Sequence, residues 1–190
     1  GGSAHVNPCY IAGIEGTLRY TGTDYADTSG TWVWKRNVAG TAVTIDRPTA
    51  IVTNYDKNYN NGIMVIFIGQ NGGWNNDPAE LVKQHKWMIK HSKASDVVVI
   101  GLSTGTASDR AAYEAAMKAE FGRYFISLRE YMSQYGLADA GLTPTAQDTA
   151  DMAVGKMPLT LTTDGTHYTT AAKTVIGNLV YKRMKELNIF

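Results

Sequence analysis

The chain has 190 residues, 44% hydrophobic and 18% charged, with a formal net charge of +1. Those values describe one globular core with room for a small appended module. They exclude a nucleic-acid or polyanion surface as the main activity, because 18 basic and 17 acidic residues nearly cancel, and no apolar run approaches the ~18 residues that span a bilayer.

The first residues, GGSAHVNP, lack the basic and apolar parts of a signal peptide. Gly1-Gly2-Ser3 reads as a linker or a cloning remnant. The chain is expected to be soluble, and its residues assign no cellular compartment. The single cysteine, Cys9, excludes an internal disulfide. It reads as a small apolar packing residue, since no histidine is placed locally to activate it.

Residues 9–60 show no helical stripe. Four β-type runs, 14–20, 31–36, 41–45 and 50–53, are rich in Thr, Val, Ile, Trp and Tyr and are separated by turn material. Alternation of this kind predicts antiparallel strands in a small sheet. Residues 1–60 therefore form a β-rich, insertion-like segment, and 61–190 form a second domain of different texture.

From residue 61 strands alternate with helices. Ile63 to Ile68 is apolar throughout, as a strand buried on both faces should be. A helix follows with Asp77 as its N-cap, Pro78 at its first position and Glu80 three after the cap, with a stripe of Leu81, Val82, His85, Met88 and Ile89. Residues 96–102 predict a second buried strand and 108–121 a helix. Residues 123–127 predict a short third strand, followed by 128–135. Helices are predicted over 144–154 and 169–187, the last with Ala172, Val175, Ile176, Leu179, Val180 and Met184 on one face. This alternation predicts an α/β three-layer sandwich with a parallel sheet, in which ligands bind beyond the carboxyl ends of the strands. The loops at 69–77, 103–108 and 127–131 are the places to look.

Two stretches carry chemistry. In Asp164-Gly165-Thr166-His167, an Asp three residues ahead of a His in a tight turn can fold back onto Nδ1–H, leaving Nε2 free for proton transfer. The bland reading is a turn in which His167 merely precedes a helix. The other stretch is Gly69-Gln70-Asn71-Gly72-Gly73-Trp74-Asn75-Asn76, between a strand and a capped helix. It first suggests an anion cradle, but it lacks the Gly-x-Gly-x-x-Gly and Lys-Ser/Thr patterns of nucleotide-binding loops. His5 sits in an irregular terminus, and His85 and His91 are explained by their helix. No His, Cys or Asp set repeats at metal-ligand separations.

Gly69-Gln70-Asn71 after a buried strand, with Asp164-x-x-His167 before the last helix, resembles the SGNH (GDSL-type) hydrolase family. The resemblance covers residues 61–190, and Gly69 and Asp164 are 95 positions apart. It implies a flavodoxin-like fold and ester hydrolysis by acyl transfer, on an acylated carbohydrate or small ester, with no cofactor or metal. His167 would be the general base, Asp164 its orienting partner and Asn71 an oxyanion donor. Gly69 would let the strand end turn tightly, while Gln70 and the remaining residues shape a substrate rim with Trp74 as its wall.

The family's Gly-Asp-Ser nucleophile block is not found. Gly1-Gly2-Ser3 has the outline Gly-x-Ser without the flanking strand and helix, and Ser103 lies at the end of a supporting strand. The chain thus resembles the C-terminal part of such a hydrolase, lacking its first strands. Loss of those strands leaves 63–68 as an open apolar edge and predicts a homo-oligomer or a complementary N-terminal fragment to cover it. The alternative is a non-catalytic glycan-binding or structural module on the same scaffold, with Tyr20, Tyr25, Trp32, Trp34 and Trp74 as stacking surfaces. Core packing is the competing explanation for at least half of these rings.

Overall fold

The computed structural model describes residues 6–23, 29–59 and 61–190. Ser3, His5 and Tyr25, all singled out from the sequence, lie outside the described residues. The chain divides into two compact units, Gly1–Asn61 and Gly62–Phe190.

The first unit holds an antiparallel sheet of β1 (Cys9–Ile11), β2 (Ile14–Thr21) and β3 (Thr31–Arg36), in that order. Ala12 and Gly13 join β1 to β2 with φ of 51° and 78°. Two positive φ values match the turn to the strand twist, and Ile11 then pairs with Ile14. Cys9 is fully buried. Trp34 lies against Gly16, where an added Cβ would sit 2.3 Å from the indole.

The strand expected at 41–45 is absent. Val43 and Ile45 are exposed and no ladder reaches them. β-propensity stabilises a strand only through neighbours, and this segment has none among the described residues. The strand expected at 50–53 shrinks to one bridge, Val52 with Tyr10. Its continuation is a helix, α1 (Asn54–Asn58), opened by a capping box between Thr53 and Asp56.

The second unit is mixed α/β. Strands β4 (Ile63–Ile66), β5 (Asp96–Ile100) and β6 (Phe125–Ile126) form a parallel sheet in the order β4-β5-β6. The helices are α2 (Pro78–Ser92), α3 (Ala107–Phe121), α4 (Leu128–Gln134), α5 (Gly136–Asp139), α6 (Ala146–Ala153) and α7 (Thr170–Glu186). The Asp77 carboxylate caps α2 by accepting from Ala79 N at 2.9 Å, with Pro78 next. Thr106 and Asp109 cap α3 reciprocally.

Alternation along β5 builds two cores. Val99 joins Leu81 of α2 and Tyr113, Met117 and Phe121 of α3. Val98 and Ile100 join Leu128 and Met132 of α4, Leu137 of α5, and Ala172, Val175 and Leu179 of α7. Successive strand residues point to opposite faces, so helices cover this sheet on both sides.

That cover stops short at β4. Val65 pairs in register with Val98, yet Val98 is fully buried and Val65 is 46% exposed. Ile63 and Phe67 are exposed with it. Among the described residues no strand pairs with the outer edge of β4. Among them, too, no helix is long and apolar enough to cross a membrane.

Candidate functional site

Asp164 and His167 are brought together by a turn that wires itself. Asp164 Oδ1 accepts from the backbone N–H of Thr166 at 3.0 Å and of His167 at 2.8 Å. Oδ2 meets His167 Nδ1 at 2.6 Å. Gly165 makes the tight turn with φ of 86°, and its N–H donates to Thr162 Oγ1 at 3.0 Å. Thr163 N donates to the His167 carbonyl at 2.8 Å, closing the loop. The His167 amide, its imidazole and the Thr166 amide together hold the Asp164 carboxyl well down, to about 2. A carboxylate so held fixes the proton of a neutral imidazole on Nδ1, and Nε2 then carries the lone pair. Both side chains are more than half exposed.

The loop after β4 owes most of its composition to backbone shape. Gly69, Gly72 and Gly73 have φ of 94°, 89° and 85°, and Asn75 and Asn76 have 52° and 54°. Glycine adopts this left-handed region freely and asparagine tolerates it. At Gly69 a Cβ would also come within 2.9 Å of Leu81. Asn71 is different: it is exposed, and its side chain makes no hydrogen bond among the described residues.

Gln70 and Trp74, expected at a substrate rim, both make contacts within the fold. Trp74 is only 4% exposed, packs 5.9 Å from the Tyr113 ring, and donates its indole N–H to the Gly69 carbonyl at 2.9 Å. It braces the loop from within the core, because α3 offers an apolar wall that local sequence does not reveal. Gln70 spends both ends of its amide on the next loop. Its Oε1 accepts from Ser103 N at 3.1 Å, and its Nε2 donates to Thr104 Oγ1 at 2.6 Å.

Ser103 is fully buried, and its Oγ accepts from Tyr168 OH at 2.7 Å. Burial removes it from contention as a nucleophile. Tyr168, Thr104 and Arg110, which donates to the Thr104 carbonyl at 2.9 Å, are participants that sequence reasoning missed. Adjacency to His167 was the one available signal for Tyr168.

Among the described residues, no serine or cysteine side chain hydrogen-bonds to His167, and no group of His, Cys, Asp or Glu comes together in a way that suits a metal ion. A depression of about 550 Å³ borders β6, α4 and α7, lined by residues such as Lys118, Tyr131 and Arg183. None of its lining residues belongs to the loops of Asn71 or His167, so its size carries no functional weight. What the site offers is a proton acceptor of fixed tautomer and an uncommitted amide donor, on loops tied to one another through Ser103.

No protein-family model, curated protein or solved structure matches the chain.

Proposed function

We propose that residues 62–190 are the acid–base and oxyanion half of an SGNH-type ester hydrolase, on a flavodoxin-like sheet lacking its first strands. The observation that carries this reading is the 2.6 Å contact between Asp164 Oδ2 and His167 Nδ1, with Oδ1 held by two amides. A serine from polypeptide outside residues 1–190 is the nucleophile. That polypeptide is a complementary fragment that covers the open edge of β4.

The serine Oγ attacks the ester carbonyl carbon while Nε2 of His167 takes its proton. The carbonyl electron pair moves onto oxygen, and Asn71 Nδ2–H donates to it. Collapse expels the alcohol, which takes the proton back from Nε2, and water then repeats the sequence on the acyl-serine. The substrate is a small ester or an acylated carbohydrate.

The test is p-nitrophenyl acetate hydrolysis by the longest natural chain containing these residues. Asn71→Ala should lower kcat by about 10²–10³, and His167→Ala should abolish turnover. Activity that survives His167→Ala would overturn the mechanism.

A second reading, a glycan-binding module, is favoured by one observation. Trp32 is 64% exposed on β3 with its ring 5.1 Å from that of Tyr20 on β2. Sugar rings stack on such faces, and quenching of Trp32 fluorescence by a soluble oligosaccharide, lost in Trp32→Ala, would establish it.

A further inference from the structure

The Asp164–His167 turn takes its hydrogen bonds to Asp164 from within residues 164–167. Such a turn keeps its internal geometry wherever it sits. Backbone bonds anchor its base, with Thr162 bridged to Tyr168 and Thr169 N donating to the Leu161 carbonyl at 3.0 Å, but none of them reaches the loop of Asn71, and misplacement by an ångström is costly to a reacting centre.

The link between the two loops runs through part-buried groups. Tyr168 OH donates to Ser103 Oγ at 2.7 Å. Ser103 N donates to Gln70 Oε1 at 3.1 Å, and Gln70 directly precedes Asn71. Gln70 Nε2 is anchored in turn on Thr104, whose Oγ1 and carbonyl take Arg110. The Tyr168 ring also stacks on Phe67, with ring centroids 6.4 Å apart. Burial raises the Tyr168 phenol above its ordinary value, against the Ser103 bond, so the hydroxyl remains a neutral donor.

We propose that Tyr168 and Ser103 are positioning residues: a Tyr168–Ser103–Gln70 relay sets the His167 turn against Asn71 across the end of β5. The functional meaning rests on the reading of His167 as general base, but the relay is testable without any esterase activity.

The experiment is ¹⁵N relaxation dispersion on the 190-residue chain, with the downfield Nδ1–H resonance of His167 recorded alongside. In the native chain the turn should show no exchange. Tyr168→Phe keeps the ring on Phe67 and removes only the hydroxyl. Ser103→Ala removes the acceptor and leaves Tyr168 intact. Each should introduce exchange confined to residues 163–168 while the Nδ1–H signal persists, and the double variant should add nothing to either.

Three results would each overturn the relay: flat profiles in both variants, loss of the Nδ1–H signal, or exchange spread through the whole unit. The last would mark a merely structural hydroxyl. In an active longer chain, Tyr168→Phe should lower kcat by about ten- to a hundredfold at unchanged KM. An intact relay in a longer chain that carries the serine yet shows no esterase activity would refute the proposed reaction and leave the relay standing.

Discussion

Arg129 meets Glu114 through two parallel hydrogen bonds, Nε to Oε1 at 2.7 Å and Nη2 to Oε2 at 2.6 Å, with both side chains nearly closed off from solvent. The pair ties α4 to α3, and Arg129 Nη1 also donates to the Gly155 carbonyl.

Removing one member of such a pair strands the other charge in the interior. Glu114→Ala should therefore cost about 3–5 kcal/mol in urea unfolding, whereas replacing both residues with apolar side chains of similar size should recover much of it. A single-variant loss below about 1 kcal/mol would mean that water reaches Arg129 freely.

Asp148 is fully buried on α6 and gathers four donors: Thr145 N at 2.9 Å, Thr145 Oγ1 at 2.8 Å, Thr160 N at 2.9 Å and Thr160 Oγ1 at 2.6 Å. Burial favours the neutral acid, but the Thr160 and Thr145 bonds prevail and draw the carboxyl down to about 2. Its folded value lies below the unfolded 3.8, so its stabilisation is present above pH 3.8 and is lost as pH falls toward 2. Asp148→Ala should cost on the order of 3 kcal/mol at neutral pH and flatten the acid limb of the stability curve, as read by urea midpoints between pH 2 and 4.

His85 titrates in a different window. It is fully buried in α2, its Nδ1 is 2.8 Å from the Leu81 carbonyl, and its Nε2 has no hydrogen-bond partner among the described residues. Burial lowers the imidazole below 6.5, against the Leu81 bond. The unfolded chain then binds the proton more readily. This residue's contribution is complete above pH 6.5 and declines as pH falls toward the depressed folded value. His85→Leu should reduce the slope of stability against pH just below 6.5, and an unchanged slope would place its origin elsewhere.

How much of this was legible depended on the range of each interaction. Asp77 and Pro78 announce α2 because a cap is made with the nearest amides. Asp164 and His167 were readable for the same reason, being three residues apart. Gln70 and Tyr168 find Ser103 across 33 and 65 residues, a distance over which sequence spacing carries no geometry. Trp74 looked like a loop side chain until α3 supplied Tyr113. Residues 41–45 have strand-forming side chains and, among the described residues, no strand to pair with, so their pattern yields nothing.

The exposed stripe on β4 yields a test of association. Val65→Lys places a charge on the solvent-facing side of an edge strand, a device that blocks edge pairing. Sedimentation velocity should show a smaller weight-average species than for the native chain, with stability altered by no more than about 0.5 kcal/mol. An unchanged distribution would remove self-association through this edge.

The sheet's lopsidedness also dictates how solvent deuterium enters it. β5 has a paired strand on each side and a helical layer above and below, so its amides exchange only when the whole unit opens. Those β4 amides that face the open edge need no such event. Isotope uptake should thus begin at β4 and spread last to β5, and the earliest labelled backbone will lie directly beneath the loop that carries Asn71.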